Sequence, residues 1–155
     1  MIKKMEGAEI TDERLGYVIR ARHTGTLARE AFCATLGELP REDFIPYVAD
    51  FYLQLDDVKW TVIAGVVGDT LSISVRNLGY SKNAGEFARR YFSDLGSAGG
   101  HRAMAKAVMP LAVFQKKFGN LDDRALGQML QALVTEFLTE AAAPAAPRSR
   151  QPLAQ

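Results

Sequence analysis

The stretch best suited to bind an anion is Gly96-Ser-Ala-Gly-Gly-His101-Arg102, which combines glycines, a hydroxyl, an imidazole and a guanidinium. Small residues let backbone N–H groups come close to a ligand, and successive N–H groups in tight turns form an anion-binding concavity. His101 adds a donor that can be cationic near neutral pH. The composition indicates a phosphate cradle, although it is neither a Walker loop nor a dinucleotide fingerprint. The alternative is a helix-to-strand turn whose glycines supply positive φ.

Arg76 is the second candidate, at the end of the run Ser72-Ile-Ser-Val-Arg76. Alternation along a strand puts Ser72, Ser74 and Arg76 on one face, which we expect to point away from the core. A guanidinium fork matches phosphate oxygens bidentately. The alternative is an exposed arginine at a strand end, paired with an acid.

Charge is unevenly distributed in a nearly neutral chain of 19 basic and 18 acidic residues. Residues 76–106 hold six basic and two acidic residues, whereas residues 41–70 hold two and six. This pattern favours an anionic ligand at the basic segment and excludes a non-specific DNA coat, which needs bulk basicity. A solvated helix face carrying several arginines remains the alternative.

Few residues are available for metal or redox chemistry. Two histidines, His23 and His101, and one cysteine, Cys33, exclude a histidine-rich metal site and an internal disulfide. The acidic pairs Asp56-Asp57 and Asp122-Asp123 fit a helix end and a helix start. We therefore expect no metal site, no cofactor and no catalytic residue in this chain. The single thiol, the short apolar runs and the lack of a leader pattern predict a cytoplasmic protein without a membrane contact.

The helices and strands expected along the sequence, which must position these residues, indicate a single α/β (α+β) domain. In it, helices pack on a mixed sheet of three to five strands. The 155 residues are 48% hydrophobic, which suits one globular core. Gly68-Asp69 joins two β-rich runs, residues 59–67 and 70–75, in the strongest hairpin signal.

Other segments are assigned by capping and periodicity. Helices are expected after Thr11, from about residue 40 to 55, after Ser81 or Asn83, and from residue 121. Residues 27–36 suit either a helix or a buried strand, residues 96–101 read as a flexible loop, and residues 105–114 as a strand with Pro110 near its end. Met104 is expected to fill a gap in the core.

Several of these pieces, taken in order, resemble a known family. Ile73-Ser-Val-Arg76, then Asn83-Ala84 opening a helix, then Gly96-Ser-Ala-Gly-Gly-His101-Arg-Ala-Met-Ala105 are similar to the DHH-associated substrate-binding domain. That domain is the C-terminal part of DHH-family phosphoesterases such as nanoRNases and 3′-phosphoadenosine 5′-phosphate phosphatases. The resemblance covers roughly residues 39–114. It departs from the family at Ala98 and near Lys106, where many members have glycine.

The resemblance implies a domain at residues 39–140, preceded by a helical lead-in or linker at 1–38. From residue 141 onward Ala, Pro, Arg and Gln dominate without periodicity, which predicts a disordered tail at 141–155. It implies that the substrate phosphate is bound by one group of residues, with Asn83 and Arg102 as further candidates. That group is Arg76, Ser97, Ala98, Gly99, Gly100 and His101. Family catalysis resembles two-metal hydrolysis by manganese in a separate N-terminal domain with an Asp-His-His triplet.

This sequence contains no Asp-His-His triplet. The chain is therefore expected to bind short nucleotides or single-stranded nucleic acid for an N-terminal DHH catalytic domain, and to be inactive alone. The competing interpretation is a stand-alone structural module that kept the scaffold without a ligand and forms a homodimer or a partner face.

Overall fold

The computed structural model describes residues 9–79 and 82–142. In chain order the elements are α1 (Asp12–Thr24), β1 (Thr26–Ala28), β2 (Ala31–Glu38), α2 (Phe44–Tyr52), β3 (Trp60–Val67), β4 (Thr70–Asn77), α3 (Ala84–Phe92), β5 (Ser97–Gly100), β6 (Met104–Pro110), α4 (Leu111–Phe118) and α5 (Asp123–Ala142). The predicted disordered tail lies outside the described residues from residue 143 onward.

The described strands form one mixed sheet in the order β1-β2-β3-β4-β6-β5. Strands β2 and β3 are parallel, and every other neighbouring pair is antiparallel. The expected α+β fold with a mixed sheet is confirmed. The described residues supply six strands, rather than three to five.

Each face of the sheet carries its own hydrophobic core. On one face Leu71, Ile73 and Val75 of β4 pack with residues of α3, α4 and α5 such as Phe87 and Phe114. On the other face α1 and α2 cover Phe32 and the neighbouring residues of β2 and β3. The β6 and β5 end of this second face lies beyond both helices, and this leaves room for a cavity there.

Most of the expected elements are confirmed. Thr11 caps α1 by accepting a hydrogen bond from the Arg14 N–H, and the β3–β4 hairpin turns at Gly68, whose φ is +66°. The ambiguous residues 27–36 belong to strands β1 and β2, joined by a turn at Arg29 and Glu30, and Cys33 is fully buried. The residues predicted as a lead-in form helix α1 and strands β1 and β2, and both strands belong to the same sheet as the rest of the domain. The boundary proposed at residue 39 remains a prediction.

Three expectations about these elements are wrong. The strand expected over residues 105–114 ends at Pro110, and residues 111–114 belong to helix α4. Residues 97–100 are not a flexible loop but the edge strand β5, which pairs with β6 and contacts α3. The face of β4 that carries Ser72 and Ser74 is not turned away from the protein, since both serines are about 95% buried. They lie beneath α2 and the residues that precede it, because this sheet is covered on both faces.

Candidate functional site: a cavity lined by Arg76, Gly99, Gly100 and His101

A cavity of about 560 Å³ opens on the second face, between the start of α2 and strands β4, β6 and β5. Its size falls in the range typical of small-molecule sites, about 300–1,000 Å³. Both apolar and charged groups line it. The lining residues are Glu42, Asp43, Pro46, Ser74, Arg76, Gly99, Gly100, His101, Met104, Ala105 and Lys106.

Arg76 is held rigidly at one end of the cavity. Its side chain is only 13% exposed, and its Nε donates to Asp50 Oδ1 at 2.7 Å. One terminal nitrogen donates to the Val75 carbonyl at 3.1 Å. These contacts use two of the five N–H donors of a guanidinium. Arg76 is thus paired with an acid, as the alternative interpretation held, yet it also faces the cavity with donors to spare.

His101 lies beside Arg76 because β5 and β6 bring it there. Met104 pairs with Arg76 across β4 and β6, and the Met104 carbonyl accepts the His101 backbone N–H at 2.9 Å. The Ala103 N–H donates to His101 Nδ1 at 3.4 Å, which leaves the proton of the neutral imidazole on Nε2. The exposed imidazole can therefore donate from Nε2 to an anion in the cavity.

The short loop 101–103 is fixed by α3 and by Asn77. The first turn of α3 donates to it, from the Ala84 N–H to the Arg102 carbonyl and from the Gly85 N–H to the His101 carbonyl, both at 3.0 Å. The buried Asn77 amide donates to the Arg102 carbonyl at 3.1 Å. The N–H groups in the first turn of a helix have no partner within the helix, and these bonds supply one from the loop instead of from water.

Steric requirements explain Gly100 but not Gly99. A Cβ on Gly100, whose φ is +150°, would lie 2.4 Å from the Met104 carbonyl oxygen, so glycine is needed for the fold. A Cβ on Gly99 would meet only Arg89 Nη1, at 3.9 Å. Glycine inside a strand often marks a place where a ligand approaches the backbone. Gly99 has this property and lines the cavity.

Carboxylates occupy the other side of the cavity. Glu42 Oε2 accepts from Ser72 Oγ at 2.8 Å and from Lys106 Nζ at 2.6 Å. The bonds from Lys106 and then Ser72 hold the pKa of Glu42 below its usual value of 4.5. Asp43 Oδ1 accepts from Arg41 Nε at 3.2 Å. Cations and carboxylates are therefore nearly balanced around the cavity.

The structure brings together four of the residues chosen from the sequence and separates the others. Ser97 pairs with Val108, two positions and about 7 Å along β5 from Gly99. Ala98 packs against the hydrophobic core of the opposite face. Asn83 caps α3 by accepting the Glu86 N–H at 3.0 Å, and Arg102 reaches α3 and Asn77 through its carbonyl.

Several cavity residues were missed from the sequence. Glu42 and Asp43 fall within the helix expected from about residue 40, but α2 begins only at Phe44. Met104 does not fill the core, since it is 42% exposed and lines the cavity. The period-2 pattern through residues 104–110, once recognised as a strand, would have placed Met104 and Lys106 on the face shared by Ser74.

Residues 9–79 and 82–142 contain no group of three or more His, Cys, Asp or Glu arranged to hold a metal ion. The donors in this part of the chain thus do not fit a two-metal centre of the DHH kind. Within the same ranges, no helix is both long and apolar enough to cross a membrane.

Comparison with known proteins gives a fold and one relative. No protein-family model matches the chain. The uncharacterized protein MJ1633 of Methanocaldococcus jannaschii is 29% identical over 116 residues, which are 74% of this chain and 23% of that protein. The chain therefore spans about a quarter of the length of this relative.

Two solved structures share the fold at low sequence identity. An exopolyphosphatase-related protein from Bacteroides fragilis aligns with a TM-score of 0.56 and 14% identity, over 86% of this chain and 37% of that one. The C-Ala domain of Aquifex aeolicus alanyl-tRNA synthetase aligns with a TM-score of 0.51 and 15% identity, over 72% of this chain and 97% of that one. These alignments show a shared α+β fold, which in the Bacteroides protein is part of a longer chain.

Proposed function

We propose that the chain is the substrate-binding domain of a DHH-family phosphoesterase. In this proposal it binds the phosphate of a nucleotide, or of a short single-stranded nucleic acid, in the cavity lined by Arg76, Gly99, Gly100 and His101. The single observation that supports this most strongly is the convergence of a guanidinium and an imidazole on an open glycine strand. These residues are 23 to 25 positions apart in the sequence, and they match the motifs through which the chain resembles the family.

The arrangement suits a phosphate chemically. Arg76 offers unused N–H donors, His101 offers Nε2, and Gly99 leaves open space beside the strand in which a phosphate can lie. Donors fixed by a sheet need little reordering when an anion binds, and bonds to a charged acceptor are about twice as strong as neutral ones. Met104 and Pro46 add apolar surface on which a base can pack.

The hydrolytic step belongs, in this proposal, to a metal-dependent DHH domain that partners this one and holds manganese. The described residues lack a metal-binding cluster, and the alignments cover only 23% and 37% of the relative and of the Bacteroides protein. A clamp on one side of a flexible substrate makes attack on its phosphoester effectively intramolecular. A cytoplasmic location is part of the same proposal.

The competing proposal is a stand-alone structural or dimerisation module. Leu15 and Ile19 on α1 are 42% and 51% exposed, which leaves apolar surface for a second copy. This proposal gives no reason for an unobstructed Gly99 beside Arg76 and His101, so the binding proposal is favoured. Light scattering tests for the dimer directly.

The test is to titrate labelled chain with a dinucleotide and with adenosine bisphosphate, beside an Arg76→Ala plus His101→Ala variant. We expect micromolar to millimolar binding by the parent and at least about a tenfold loss in the variant. An Arg22→Ala plus His23→Ala variant makes the same composition change on α1 and should bind like the parent. Equal binding by all three proteins would eliminate this pocket. Manganese-dependent hydrolysis by the purified chain would contradict the assignment of catalysis to another domain.

A further inference from the structure

The cavity has a cationic end and an acidic end, and each is in contact with a different residue of β4. Ser72, Ser74 and Arg76 share one face of β4, and Ser72 donates to Glu42. Arg76 lies four positions along the strand from Ser72, which is about 13 Å. A single phosphate at Arg76 and His101 therefore leaves the Glu42 end for a different part of the ligand.

Glu42 still has an acceptor to offer. Both of its hydrogen bonds, from Ser72 and Lys106, reach Oε2. Among the described residues, no hydrogen bond to Oε1 is made. Its neighbour Asp43 engages Arg41 through Oδ1. A carboxylate oxygen only accepts hydrogen bonds, so it fits a hydroxyl or an amine and repels a second phosphate.

Lys106 does not offset this repulsion. Its ammonium is bonded to Glu42, and Arg76 is bonded to Asp50. Around the cavity, Arg76 and Lys106 are matched by Glu42 and Asp43, which leaves no net charge when His101 is neutral. A ligand with several adjacent phosphates would meet Glu42, whose neighbouring cation Lys106 is already bonded to it, while the nearby Arg89 lies beside Gly99 on β5.

We propose that Glu42 is a specificity-determining residue that makes the cavity select a nucleoside monophosphate unit over a linear polyphosphate. The phosphate lies at Arg76 and His101, and hydroxyl or amine groups of the nucleoside donate to Glu42 Oε1. The nucleoside packs on Met104 and Pro46 between the two ends. This inference rests on the proposed function and names the ligand class of that same cavity.

The experiment compares adenosine monophosphate with inorganic tripolyphosphate by calorimetric titration. The parent chain should bind the nucleotide at least about tenfold more tightly. Glu42→Gln keeps the shape and an acceptor for Ser72 but removes the charge. It should raise the tripolyphosphate affinity about fivefold, the effect of one charge pair at about 4 Å in water, and lower the nucleotide affinity. Asp43→Asn is a second variant that should also favour tripolyphosphate.

The control is Glu140→Gln, which makes the same charge change at the Arg90 ion pair between α3 and α5. It should leave the ratio of the two affinities unchanged. A ratio equally unchanged in Glu42→Gln and Asp43→Asn would overturn the role of Glu42, as would tighter binding of tripolyphosphate by the parent. In either case, loss of binding in the Arg76 and His101 variant would leave the proposed function standing. A parent that binds neither compound would overturn both.

Discussion

Two adjacent glycines of β5 should respond in opposite ways to the same substitution. Gly100→Ala puts a Cβ 2.4 Å from the Met104 carbonyl oxygen at a φ of +150°. A non-glycine residue in such a region costs about 1–3 kcal/mol, and the overlap adds about 1–3 kcal/mol. We therefore expect unfolding free energy to fall by about 2–6 kcal/mol.

Gly99→Ala should leave stability nearly unchanged. The new methyl group would meet only Arg89 Nη1, at 3.9 Å, and the backbone needs no positive φ. The change in unfolding free energy should stay within about 1 kcal/mol. The methyl group would nevertheless separate a bound phosphate from the strand. A phosphate displaced in this way loses one hydrogen bond from Arg76 or His101, worth about 1.5–3 kcal/mol for a bond to a charged group, so nucleotide binding should weaken roughly tenfold to a hundredfold.

The assay combines thermal unfolding with titration of adenosine monophosphate. For a chain of this size, 1 kcal/mol corresponds to about 2–4 °C in Tm, so Gly100→Ala should melt at least about 4 °C lower and Gly99→Ala within about 4 °C of the parent. Normal binding by a stable Gly99→Ala would refute the argument that this glycine serves a ligand. A large loss of stability in Gly99→Ala would refute its steric basis.

Three further predictions concern groups around the cavity. Asn77→Ala leaves the Arg102 carbonyl without its buried amide partner, and should cost about 1–3 kcal/mol in chemical unfolding while also weakening nucleotide binding. Asn83→Ala removes only the cap on α3, and should cost about 1 kcal/mol without changing affinity once the protein is folded. The bonds from Lys106 and Ser72 lower the pKa of Glu42 below 4.5 in the folded chain. They therefore stabilise the fold fully at pH values above 4.5, and this contribution is lost as the pH falls from 4.5 through the lowered pKa. Glu42→Gln should therefore flatten the acid limb of a pH-dependent unfolding series.

Each of these has a result that contradicts it. Unchanged affinity in a destabilised Asn77→Ala would show that the position of loop 101–103 does not matter for the ligand. Weaker nucleotide binding by fully folded Asn83→Ala would show that Asn83 contacts the ligand after all. An acid limb equally steep in parent and Glu42→Gln would mean that other carboxylates set the acid dependence.

The sequence was most informative where a local pattern and the tertiary contacts agree. The β3–β4 hairpin follows from strand periodicity and Gly68-Asp69, and its second strand correctly placed Ser74 and Arg76 on one face. The cap at Asn83 follows from the chemistry of an exposed helix start. These features depend on residues within a few positions of one another.

Strand β5 could not be predicted because its residues, Ser97-Ala-Gly-Gly100, have little intrinsic strand preference. It is a strand because β6 pairs with it and α3 packs on it. The acidic end of the cavity was equally hidden. Glu42 meets Ser72 and Lys106 across 30 and 64 positions of sequence, and only the packing of α2 on β4 sets that distance.

The central claim is that the phosphate, rather than the nucleoside, is bound by the β5–β6 loop and Arg76. The most direct test is a ¹H–¹⁵N NMR titration of the labelled chain with adenosine monophosphate and, separately, with adenosine. The account predicts that the Gly99, Gly100 and His101 amide signals move with the monophosphate and stay in place with adenosine. Equal shifts with adenosine, or monophosphate shifts confined to residues outside the cavity, would contradict it.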